Sequence, residues 1–106
     1  MIKLFAAKLQ DLLNTRKAAI GLTYFKSYRV DIQNGNKFAK VFRVEIGHDD
    51  KDATRHIVAF VDMATGDIFK PATYKAPAKH ARGNINSDKN GMEAITSEGF
   101  VVYLRG

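Results

Sequence analysis

The chain has 106 residues, enough for one domain around one hydrophobic core. Seventeen Lys and Arg against eleven Asp and Glu give it a formal charge of +6. That excess favours anionic partners: nucleic acid, nucleotides, acidic protein surfaces or anionic lipid. The absence of cysteine excludes disulfides, thiolate zinc sites and cysteine nucleophiles.

The first segment, MIKLFAAKLQDLL, places Ile2, Phe5, Leu9, Leu12 and Leu13 at three- and four-residue steps and predicts an amphipathic helix with its apolar stripe on a core. Lys3, Lys8, Gln10 and Asp11 interrupt it, so it lacks a secretory apolar stretch. Nowhere does an apolar run approach the ~18 residues of a membrane span. The expectation is a cytosolic protein with no membrane segment, one domain over 1–106. Asn14 and Thr15 can end the helix or cap a short further turn, RKAAI, and Gly21 suits the position just after a helix.

Alternation of Leu22, Tyr24, Tyr28, Val30 and Ile32 with polar residues predicts a strand. A second strand follows NGN, with Phe38, Phe42, Val44 and Ile46 on one face. A three-residue loop, Asn34 to Asn36, would pair Ile32 with Phe38 and Tyr28 with Phe42, so that both apolar sets face one side. GHDDKDATR reads as a charged connection. HIVAFVDM is apolar on both faces and predicts a central strand. ATGD is a turn, and IFK starts a strand that Pro71 ends or places at an edge. GFVVYLR closes the chain as a last strand. The order predicts an α+β fold, one N-terminal amphipathic helix packed on an antiparallel sheet of about five strands.

No catalytic motif stands out. His48, Asp49, Asp50, Asp52 and His56 lack metal-ligand spacing and read as a solvated acidic loop. Asp62 and Asp67 flank the MATG turn and could approach as an acid/base or metal pair, although acids at such places usually satisfy turn backbone. The expectation is a non-enzymatic protein with no cofactor and no metal.

The stretch KPATYKAPAKHARGNI, Lys70 to Ile85, contains four cationic residues and no acid, together with both prolines and Tyr74. On a purely structural reading, Pro77 opens and Gly83 closes a short helix over PAKHAR, with Lys79, His80 and Arg82 near its negative end. On a functional reading, cations beside an exposed aromatic hold single-stranded nucleic acid without sequence preference. The candidate contacts are Lys70, Tyr74, Lys75, Lys79, His80, Arg82 and Asn84, extended by Arg29, Lys37 and Arg43 on the outward face of the first hairpin.

The segment FVDMATGDIFKPATYKAPAKHARGNI, Phe60 to Ile85, resembles one found in small proteins of tailed bacteriophages, with its TGD turn, KPA-aromatic-KAPAK run and ARGNI end. The resemblance implies a phage or phage-derived origin and expression in the cytoplasm of a bacterial host, with no established activity. It also opens an alternative: an accessory or counter-defence protein binding a host protein or an anionic nucleotide.

Overall fold

A computed structural model describes residues 1–102. Helix α1 (Ile2–Ile20) is followed by five strands: β1 (Ser27–Asn34), β2 (Phe38–Ile46), β3 (Asp52–Asp62), β4 (Asp67–Pro71) and β5 (Pro77–Asn84). They form one antiparallel sheet in sequential order, β1-β2-β3-β4-β5. This is the expected α+β arrangement.

The helix runs unbroken through Asn14 and Thr15, so RKAAI is its last turns and not a separate element. It ends as the sequence predicts. Gly21 takes the left-handed conformation, φ 72°, and the N–H groups of Gly21 and Leu22 return to the carbonyls of Ala18 and Lys17. Asn14 stays helical because its amide is used elsewhere: it accepts from the Tyr28 N–H at 2.7 Å and donates to the Tyr28 carbonyl at 3.1 Å. One turn earlier, Gln10 accepts from the Val30 N–H at 2.9 Å. Two helix side chains therefore occupy the outer backbone groups of edge strand β1, which blunts that edge against further pairing.

The hydrophobic cluster that includes α1 lies on the helix side of the sheet. Phe5, Leu9 and Leu13 of α1 pack with Val41, Val58, Ala59, Val61 and Ile68 of the sheet and with Ile85, Ala94 and Val101 of the C-terminal segment. Burial of each large side chain contributes about 1.5–3 kcal/mol.

Two expectations are corrected, besides the connection GHDDKDATR, whose Asp52 to Arg55 belong to β3. The first hairpin pairs Ile32 with Val41 and Tyr28 with Glu45, and four residues separate its last pair, Asn34 and Ala39. The three-residue loop fails because β2 is buried on both faces. Ala39 and Val41 share a face with Val30 and Tyr28, while Phe42 and Val44 are fully buried on the other. The second correction concerns PAKHAR, which is strand β5. Pairing with β4, including Pro71 opposite Pro77 at the strand ends, outweighs the local helix signals. The expected last strand lies partly outside the described residues. Within them, Val101 forms only an isolated bridge with Ile95.

Candidate nucleic-acid interface

Among the described residues, the face of the sheet opposite α1 carries no helix. Its central feature follows from two-residue alternation along β2, which brings Phe38, Lys40, Phe42 and Val44 to that face. Phe38 meets Phe60 of β3 and Phe69 of β4 edge-on, with ring centroids 6.0 and 5.8 Å apart. The loop between β4 and β5 folds back over this layer. Thr73 Oγ1 accepts from the N–H groups of Lys75 and Ala76, both at 3.1 Å, which tightens the tip and presents Tyr74. The Tyr74 ring lies 5.9 Å from that of Phe42, so the loop reaches across β3 to β2.

Cations fill the spaces between the rings. Lys40 Nζ lies 4.4 Å from the Tyr74 centroid and 5.7 Å from that of Phe60. The Arg55 guanidinium lies 3.7 Å over Phe42, and Lys37 Nζ lies 5.3 Å over Phe38. Phe42 and Phe60 are buried beneath this layer at 0% and 2% exposure, whereas Tyr74 remains 54% exposed. A stacking partner can therefore reach Tyr74 and not the two phenylalanines. Lys40, Arg55, Lys75 and Lys79 enter no ion pair among the described residues.

The sequence-predicted residues divide into groups. Tyr74 and Lys75 sit together at the loop tip, and Lys79 and His80 are exposed on β5. Arg82 donates to the His80 carbonyl of its own strand, and its buried Nε has no acceptor among the described residues. Asn84 is a structural staple. Its Nδ2 donates to the Thr65 carbonyl and to Asp67, its Oδ1 accepts from Asn86 N–H, and its own N–H donates to Glu93. Lys70 lies on the other side of the sheet: it is two residues from the core residue Ile68, and its Nζ is 3.4 Å from the Val101 carbonyl. The positive track is thus not continuous from Lys70 to Arg82.

The hairpin cations also separate. Arg29 is clamped by Asp31 and Asp52, at 2.6 to 3.0 Å. Arg43 faces the helix side, 4.6 Å over Phe100. Lys40 and Arg55 were missed. Lys40 reads in sequence as an interruption of a buried face, and Arg55 as part of a charged connection.

Of the acids flanking the MATG turn, Asp62 serves the backbone and Asp67 accepts from the Asn84 side-chain amide at 3.0 Å. Asp62 accepts from the N–H groups of Ala64 and Thr65, at 2.8 and 3.1 Å, and those bonds hold its carboxyl below the usual carboxylate range. Among the described residues, no three His, Asp or Glu side chains converge as a metal set, and no helix is long and apolar enough to cross a membrane.

These features define a small α+β protein with one helix-covered sheet face and one face layered with aromatics and cations. The chain belongs to a family of unknown function, DUF7717, whose profile matches residues 2–104. No curated protein and no solved structure matches it.

Proposed function

We propose that the chain binds single-stranded nucleic acid on the open face of the sheet, without catalysis. The observation that carries this reading is Tyr74, exposed at the loop tip with Lys40 Nζ 4.4 Å from its ring and Lys75 next to it in the chain, neither cation in an ion pair among the described residues. A base stacks on the free side of the Tyr74 ring, and Lys40, Lys75 and Lys79 meet phosphates. Stacking on an exposed ring requires an unpaired base, which selects single strands over duplex. A phage-derived origin and a bacterial cytoplasmic setting belong to the same proposal, supported by the wording of Phe60 to Ile85.

The test is fluorescence anisotropy with labelled single-stranded DNA, duplex DNA and RNA at about 50 and 200 mM salt. Several phosphate contacts produce a steep loss of affinity between those conditions. Single-strand binding with that slope, lost in Tyr74→Ala combined with Lys75→Ala and Lys79→Ala, supports the proposal. No binding at low salt refutes it.

A further inference from the structure

Of the guanidinium groups near the open face, Arg29 has its donors taken by Asp31 and Asp52. Arg82 donates to its own backbone. Arg55 differs from both. It is exposed, lies 3.7 Å over the Phe42 ring, and enters no ion pair among the described residues. The Tyr74 ring rests on the same phenylalanine, 5.9 Å away.

We infer that Arg55 is the phosphate fork of this face, and that Arg55 and Tyr74, both seated on Phe42, grip one nucleotide unit by its phosphate and its base. The inference rests on the nucleic-acid reading and deepens it. Guanidinium suits this position because its planar N–H pairs match two phosphate oxygens at once, whereas an ammonium provides only a point charge. Stacking on Phe42 fixes the guanidinium before the ligand arrives, which lowers the ordering cost of binding. Asp31 and Asp52 lie near Arg55, but Arg29 takes both carboxylates, so the N–H edges of Arg55 stay available.

The experiment uses a labelled five-nucleotide deoxythymidine strand and the same strand with uncharged methylphosphonate linkages. Arg55→Lys keeps the charge and removes the fork; Arg29→Lys is the control. Circular dichroism verifies that both variants fold. The expected result is a loss of about tenfold or more in affinity of Arg55→Lys for the natural strand. Arg29→Lys binds like the parent, and Arg55→Lys loses nothing on the methylphosphonate strand. Arg55→Ala lowers the salt slope by about one. Parent-like binding by Arg55→Lys, or an equal loss in Arg29→Lys, overturns the inference. If Tyr74→Ala still abolishes binding while Arg55→Lys does not, the nucleic-acid reading survives and the fork falls. If the parent binds neither strand, both fall.

Discussion

Lys40 on β2 holds Tyr74 from the loop after β4: its ammonium lies 4.4 Å from the centre of the Tyr74 ring, across the intervening strand β3. A loop tip exposed on one side is thereby fixed on the other. Cation–π contacts at such sites contribute about 0.5–1 kcal/mol. Lys40→Met should release the tip, and faster hydrogen exchange at Lys75 and Ala76 would report it. The same substitution should weaken single-strand binding several-fold, through the lost charge and the lost anchoring together. Unchanged exchange would mean that the Thr73 bonds alone hold the tip.

Asn14 predicts a stability effect far from this face. It bonds both backbone groups of Tyr28 from the middle of a helix, where asparagine is otherwise a poor residue. Asn14→Ala leaves a part-buried donor and acceptor without these partners, and should cost about 1–3 kcal/mol in urea denaturation. Gln10→Ala, which loses a single bond to Val30, should cost less. If the two variants proved equal, the paired geometry at Tyr28 would be of no consequence.

Local patterns made much of the fold legible. Three- and four-residue spacing marked α1 and Gly21 its end, alternation marked β1 and β2, an apolar run β3, and the turn before IFK marked β4. The errors arose where a non-local pairing overrode a local signal. Pro77 and Gly83 stand where a short helix would begin and end, but β4 was available as a partner for the whole segment. The register of the first hairpin was misjudged because two-sided burial of β2 removes the contrast on which register inference depends. For the site, Tyr74 and Lys75 were visible as neighbours in one run. Lys40 and Phe42 meet Tyr74, and Arg55 meets Phe42, only through sheet pairing and a folded-back loop, and no sequence spacing encodes that. The position of Lys70 was readable in principle, since it stands two residues from Ile68 on the same strand.

Acid should destabilise the protein through its depressed carboxyls. The hydrogen bonds and charge of Arg29 hold Asp31 and Asp52 below their ordinary values, and backbone N–H groups do the same for Asp62. Burial pushes Glu93 up, but bonds from the Ser87 hydroxyl and nearby backbone N–H groups outweigh it and leave it lowered. Each group binds its proton more weakly folded than unfolded. Its contribution is therefore full above the unfolded carboxyl range, near pH 4, and is lost as pH falls through the folded value. Melting temperatures at pH 7, 5, 4 and 3 should show little loss from these groups down to 5 and a fall below 4. Arg29→Met should lower the melting temperature at pH 7 and reduce the fall between 4 and 3. A fall of parent size in that variant would place the acid sensitivity elsewhere.

Gly91 and Gly21 should respond differently to the same substitution, because both have positive φ but only one is crowded. At Gly21, φ 72°, an added Cβ meets nothing within 4 Å, so Gly21→Ala carries only the left-handed backbone cost of about 1–2 kcal/mol. At Gly91, φ 88°, the same carbon would lie 2.6 Å from Ile68 Cδ1 and 2.8 Å from Phe5 Cδ1. Those are the ends of two fully buried side chains in the contact between helix and sheet, where protein interiors are close-packed. Overpacking there adds about 1–3 kcal/mol to the backbone term. Urea midpoints should therefore rank the parent above Gly21→Ala, and Gly21→Ala above Gly91→Ala. Equal midpoints for the two variants would mean that Phe5 and Ile68 repack around a methyl group at no cost, and that the core is looser at this point than its burial implies.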